Sequence, residues 1–205
     1  MSQYTTLIID YSEVLFPGFK GTGHIIESHT GIPASDFLEA KQKTMDHFLA
    51  AMRGELTEQQ YLQLFLKRTN WVMSPEQLGT FVRRNLDTDL ENSAFELLIQ
   101  LLKGNYHLVL LSDQIREWTE YIKATRNELA IFDQQIFSFD CGMIKSDPWM
   151  FPHALDVINT TADHCLFIDD SSVNIAAAEK CGIKSILYVG PSDLKQQLAR
   201  CSIYV

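Results

Sequence analysis

From about residue 93 to the end of the chain, short apolar runs alternate with longer stretches of helical period. "SAFELLIQLLKG" reads as a helix ended by Gly104, "YHLVLLS" as a strand, "QIREWTEYIKATRNEL" as a helix and "QIFSF" as a short strand. "PWMFPHALDVIN" reads as a helix despite Pro152, "HCLFIDD" as a strand, and "SVNIAAAEKCG" as a helix ended by Gly182. "KSILYV" follows as a strand and "SDLKQQLAR" as a closing helix. This alternation implies βαβ units with right-handed crossovers, and so a parallel sheet. One more strand, "TTLIID" from Thr5 to Asp10, stands apart near the start. It is short, β-branched and apolar throughout, as strands covered on both faces tend to be.

Between Phe19 and Asp89 no strand pattern occurs. Leu38, Met45, Leu49 and Met52 share one helical face, and Gly54 stops that helix. Thr57 with Gln60 three residues on forms a capping-box signature for the next helix. "SPEQ" at Ser74 to Gln77 supplies an N-cap serine, a proline in the first turn and a glutamine at the third position. The expected architecture is α/β: a three-layer Rossmann-like parallel sheet from residues 1–16 and 90–205. An all-helical insert of four elements, residues 17–89, follows the first strand.

Composition narrows the function classes. The 205 residues carry a formal net charge of −9. That disfavours nucleic acid, which needs clustered Lys and Arg, and also anionic membrane surfaces. It leaves a phosphorylated substrate open, because a metal ion can invert the local field. "MSQYTT" has no basic region followed by a long apolar run, and no stretch of about 18 apolar residues occurs. The four cysteines, Cys141, Cys165, Cys181 and Cys201, lie far apart with no C-x-x-C pair. The expectation is a cytoplasmic protein with reduced thiols, no nucleic-acid partner and no membrane partner.

In parallel sheets of this kind ligands bind at the carboxyl ends of the strands, near the switch in strand order. The first strand ends in Asp10 and the second in Ser112 and Asp113. The turn after the third carries Lys145, and the fourth ends in Asp169 and Asp170. Taken singly, each has an ordinary reading: Asp10 as a turn residue, Ser112 as an N-cap, Lys145 as a solvated side chain. The adjacent acids Asp169 and Asp170 repel each other unless a cation lies nearby. Together, each after its own strand, these residues fit one chemistry. A carboxylate can attack phosphorus once the phosphate charge is neutralised. Mg²⁺ held by carboxylates, a lysine, a hydroxyl and backbone N–H groups supply that neutralisation.

The set "IIDYSEVLF", "LVLLSDQ", "GMIKSDPWMF" and "LFIDDSSVNIAAAEKCGI" resembles the four motifs of the haloacid dehalogenase-like (HAD) superfamily. It looks closest to the phosphatase branch with a small helical cap after the first motif. That branch includes bacterial sugar-phosphate phosphatases and the amino-terminal phosphatase domain of soluble epoxide hydrolases. "RGELTEQQYLQLF" resembles the cap segment of those proteins. The resemblance implies that Asp10 is the nucleophile and a metal ligand, and that Lys145 stabilises it. It implies that Ser112 and Asp113 lie at the phosphoryl group and that Asp169 and Asp170 hold Mg²⁺. The backbone carbonyl of Ser12 becomes a further metal ligand. Phe16 and Phe19 close with the cap helices over a small phosphorylated substrate.

The chain departs from that pattern at two positions. Typical phosphatases of the family carry an aspartate two residues after the nucleophile, which protonates the leaving group and later activates water. Here that residue is Ser12. Glu13 stands where the family commonly has glycine, and a bulkier residue in that tight turn narrows the pocket. Three functions follow as alternatives. They are a Mg²⁺-dependent phosphatase or phosphotransferase that is slow on poor leaving groups, a metal-free haloacid dehalogenase, and a non-catalytic HAD fold that binds a phosphorylated ligand or a protein.

Overall fold

A computed structural model describes residues 3–90, 93–101 and 106–204. Five strands form one parallel sheet: β1 (Thr6–Ile9), β2 (His107–Ser112), β3 (Gln134–Phe137), β4 (Cys165–Asp169) and β5 (Lys184–Leu187), in the order β3-β2-β1-β4-β5. Strand β1 is central. Thr6 sits beside His107 on one side and Cys165 on the other, and the register continues to Ile9 beside Leu110 and Ile168. Chain order reverses between β1 and β4, so the switch point lies where Asp10 and Asp169 emerge.

Helices cover both faces. On one face Leu7, Ile9, Leu108, Leu110, Leu166 and Ile168 point into a large apolar core. On the other, Ile8, Val109, Leu111, Ile136 and Phe167 meet Phe151, Ala154 and Ala178. The strands read as unbroken apolar runs because neighbouring residues enter different cores. The covering helices are α6 (Phe95–Leu101), α7 (Arg116–Thr125), α8 (Ser138–Cys141), α9 (Met150–Val157), α10 (Ser172–Lys180) and α11 (Pro191–Arg200). Pro152 falls in the first turn of α9, where its missing N–H has no helical partner to lose. The expected stop at Gly104 lies outside the described residues.

The helical segment after β1 holds five helices rather than four, counting its described residues: α1 (Thr22–Thr30), α2 (Ala34–Lys43), α3 (Met45–Met52), α4 (Glu58–Leu66) and α5 (Pro75–Leu86). The added element comes from the run read as one helix up to Gly54, which is two helices, α2 and α3. The face drawn through Leu38, Met45, Leu49 and Met52 belongs to no single helix. Thr44 breaks the run at φ −118 and ψ 20, and its hydroxyl donates to the Ala40 carbonyl at 2.9 Å. Leu38 is exposed, and the buried positions are instead Phe37, Ala40, Phe48 and Ala51. Both capping boxes form, at Thr57 with Gln60 and at Ser74 with Gln77. Gly54 ends α3 at φ 77, packed so that a Cβ there would lie 2.7 Å from the Phe139 carbonyl oxygen.

Polar contacts tie this segment to the sheet layers. Glu58 at the start of α4 pairs with Arg83 of α5 and accepts the Trp118 indole N–H at 2.8 Å. Trp118 in turn packs its ring against Phe19, with centroids 4.8 Å apart. Among the described residues no helix is long and apolar enough to cross a membrane. Glu58→Gln keeps the shape but removes the charge that both donors address. It should lower stability by about 1–3 kcal/mol, read as a shift in the urea midpoint at unchanged slope.

Candidate active site

Asp10 continues β1 by one residue, and its backbone N–H donates to the Ile168 carbonyl at 2.9 Å. This pairing fixes where its carboxylate emerges. Lys145 reaches it from the loop after α8: Nζ lies 2.5 Å from Asp10 Oδ1 and 2.6 Å from Asp169 Oδ2. All three residues are buried, Lys145 at 1% exposure. Burial disfavours the Lys145 ammonium, but Asp10, Asp169 and Asp113 outweigh that cost and hold its pKa well above the ordinary lysine range. For Asp10, burial pushes the carboxyl upward. Lys145 pulls it back and Asp169 repels it.

Asp170 completes the acidic side. Asp10, Asp169 and Asp170 each present a carboxylate oxygen within 4.8 Å of the others. Burial raises the Asp170 carboxyl, with Asp169 adding to the effect. Lys20 stands 3.7 Å from Asp170 and 3.4 Å from Glu13. Asp169 is further fixed by the Ser171 backbone N–H at 2.8 Å and by the Asn174 side-chain amide at 3.1 Å. Three clustered carboxylates offer hard oxygen donors, the chemistry that Mg²⁺ prefers.

The cluster forms the floor of a cavity of about 590 Å³. Of the residues singled out in the sequence, Asp10, Ser12, Phe19, Asp113, Lys145 and Asp170 line it. Asp169 lies just beneath, fully buried. Ser112 is also fully buried, and its hydroxyl has no hydrogen-bond partner among the described residues. Asp113 holds the lysine loop, accepting the Lys145 backbone N–H at 3.0 Å. Phe16 departs from expectation. Its ring stacks on Tyr11 with centroids 4.9 Å apart and lies under the Arg126 guanidinium, away from the cavity lining. The chain doubles back at Tyr11–Phe16, with the Glu13 N–H donating to the Phe16 carbonyl, so the Phe16 side chain enters the core.

Glu13 takes a left-handed conformation, φ 63, in that turn. This is the geometry that glycine adopts without cost. Its side chain offsets the strain: Oε1 accepts the Gly18 N–H at 2.9 Å and Oε2 faces Lys20. The Glu13 carboxylate is thus engaged in closing the loop. Ser12 Oγ accepts a hydrogen bond from Gln114 Nε2 at 3.1 Å.

Residues not expected from the sequence also contribute, Lys20 and Lys41 of the cavity lining among them. Gln114 and Asn174 are polar positions next to motif residues. Arg53 and Asp147 form a two-contact ion pair at 3.0 and 2.8 Å that braces the Lys145 loop against the end of α3. Asp147 also accepts the Ile144 N–H at 2.9 Å. Asn174 carried a usable signal, one helical turn beyond the paired acids. The Arg53–Asp147 contact spans 94 residues and had none.

Fold and site together define an α/β protein with a buried carboxylate–lysine cluster at the switch point of its sheet. The chain belongs to the haloacid dehalogenase-like hydrolases: residues 6–182 match that family. The HAD family enzyme bt-2542 from Bacteroides thetaiotaomicron, solved in complex with magnesium and inorganic phosphate, is similar in fold. Its TM-score is 0.72 at 16% identity, over 95% of this chain and 98% of that one. The HAD-hydrolase YfnB from Bacillus subtilis, bound to magnesium, aligns with a TM-score of 0.69 at 18% identity, over 96% and 99% of the two chains. Drimenol cyclase drtB from Aspergillus calidoustus is 27% identical over 149 residues, covering 71% of this chain. The chain spans only 28% of that cyclase's length.

Two outcomes test the electrostatics of the site. Lys145→Met leaves Asp10 and Asp169 buried without their counter-charge. It should cost about 3–5 kcal/mol at pH 7 by urea denaturation. Part should return as the pH falls, because the raised Asp10 carboxyl then takes up a proton in the folded state. Asp113 is pushed up to about 6 by burial, partly offset by Lys145. Its folded value lies above the unfolded value of about 3.9. Its contribution to stability is therefore full below the unfolded value and lost as pH rises towards 6. Stability measured from about pH 4 to 7 should decline less steeply in Asp113→Asn than in the wild type.

Proposed function

We propose that this protein is a Mg²⁺-dependent phosphatase or phosphotransferase, acting on a small phosphorylated metabolite through an aspartyl-phosphate on Asp10. The observation that carries the reading is the buried Asp10–Lys145–Asp169 cluster with Asp170 beside it. Asp10 attacks phosphorus, a P–O bond to Asp10 forms, and the bond to the leaving oxygen breaks. Lys145 keeps its positive charge throughout and offsets the phosphoryl charge that gathers next to Asp10. The unpartnered hydroxyl of Ser112 suits a phosphoryl oxygen. Asp10, Asp169, Asp170 and the Ser12 carbonyl would hold Mg²⁺, which when bound supplies Lewis-acid neutralisation of the phosphoryl oxygens.

Ser12 determines the kinetic character. Its Oγ receives the Gln114 amide N–H, which leaves the hydroxyl proton free to point at a leaving-group oxygen. A hydroxyl can hydrogen-bond there, but it neither surrenders its proton nor takes one from water near pH 7. Glu13 does not substitute, because its carboxylate is committed to Gly18 and Lys20. The protein therefore favours leaving groups that depart without protonation, and its aspartyl-phosphate turns over slowly.

With an aryl phosphate, wild-type turnover should require Mg²⁺ and vanish in Asp10→Asn. Ser12→Asp should accelerate hydrolysis of an alkyl phosphate by about 10²-fold or more, and that of the aryl ester far less. Absence of turnover in the wild type and in Ser12→Asp, with no Mg²⁺-induced rise in melting temperature, would sink the proposal.

A further inference from the structure

The cavity is chemically two-ended. One end is the carboxylate–lysine cluster. The other is apolar and aromatic, formed by Phe19, Phe48, Leu49, Met52 and Trp118. Phe19 and Phe48 stack with centroids 5.2 Å apart. Over them stands Lys41 of α2, with Nζ 5.1 Å from the Phe48 ring centroid and 5.9 Å from that of Phe19. Lys41 lines the cavity and is half-buried.

Lys41 differs from the other lysines of the site. Lys145 is held by Asp10 and Asp169, and Lys20 by Glu13 and Asp170. Among the described residues, Lys41 has no carboxylate within ion-pair distance, and its contacts are the two ring faces. Burial pushes its pKa down and the nearby charge of Lys20 adds to this, while the more distant carboxylates of Glu13 and Asp170 only partly oppose it. A half-buried ammonium with no carboxylate in direct contact, facing the substrate space, is stabilised by a ligand that brings negative charge against it.

We propose that Lys41 is a specificity-determining residue that binds a second anionic group of the substrate, carried by the leaving group beyond a flat or apolar body. The substrate class is then a phosphomonoester with an additional carboxylate or phosphate. The phosphoryl end lies at Asp10, the body rests against Phe48 and Trp118, and the second anion reaches Lys41. The proposal rests on the reading of the Asp10 end as the phosphoryl site.

Non-hydrolysable phosphonates separate the two ideas. Binding of 4-carboxyphenylphosphonate, 1,4-phenylenebisphosphonate and the control 4-carbamoylphenylphosphonate, whose second group is uncharged, would be measured by calorimetry with Mg²⁺ present. At least one of the two ligands with a second anionic group should bind about tenfold more tightly than the control. Which one does so distinguishes carboxylate from phosphate. That preference should fall to about one in Lys41→Met, return in Lys41→Arg, and persist in Lys43→Met, whose lysine pairs with Glu39 on the same helix. Equal binding of all three ligands, no binding of any, or a preference that survives in Lys41→Met would overturn the proposal. A Lys41-dependent preference in a protein that hydrolyses no phosphomonoester would uphold it and overturn the phosphatase reading alone.

Discussion

Lys145 carries a charge at 1% exposure, and the molecule is arranged around that fact. An ammonium withdrawn from water is tolerated only when opposite charges meet it at close range. Asp10 from the central strand and Asp169 from its neighbour do so, at 2.5 and 2.6 Å. Neither carboxylate is stable at that depth without the lysine. The pairing of β1 with β4 sets the separation of the two acids, and the loop after α8 must deliver the lysine between them. Asp113 and Asp147 secure that loop by accepting the backbone N–H groups of Lys145 and Ile144. The electrostatic centre and the sheet topology are thus a single constraint, satisfied by residues far apart in the chain.

The turn after β1 shows how a departure from the family pattern is absorbed. Glu13 occupies a backbone conformation suited to glycine, and its side chain offsets the strain by closing the loop onto Gly18 and Lys20. In the proposed reaction, this leaves neither Ser12 nor Glu13 to transfer a proton. Lys20, held by Glu13, also faces Asp170. The substitution therefore reaches the acidic cluster through one lysine.

Much of the architecture was legible in the sequence, because it depends on periodicity and punctuation. Strands with both faces covered read as apolar runs, and the capping boxes at Thr57 and Ser74 announced helix starts correctly. Asp10, Lys145, Asp169 and Asp170 were recognisable from their order after successive strands, and they do converge. What stayed hidden depends on tertiary contact. The break at Thr44 is invisible to a helical wheel, since Met45, Leu49 and Met52 continue the period drawn from Leu38 without interruption. Phe16 was placed at the substrate by the family resemblance, but the reversal of the chain at Glu13 turns it into the core beside Tyr11. Gln114 and Arg53 have no local signature, as their partners Ser12 and Asp147 lie in distant segments.

Arg53 has a mechanical significance beyond bracing a loop. It ends α3, the helix that contributes Met45, Phe48, Leu49 and Met52 to the apolar end of the cavity. Asp147, which it grips, ends the turn that begins at Ile144 and carries Lys145. The apolar wall of the cavity and the ammonium at its charged end are joined by one two-pronged clasp. On the proposed reading, the two ends of the cavity are therefore mechanically connected subsites. A ligand that fills both should bind with a free energy unequal to the sum of its parts, and the difference measures the stiffness of that clasp.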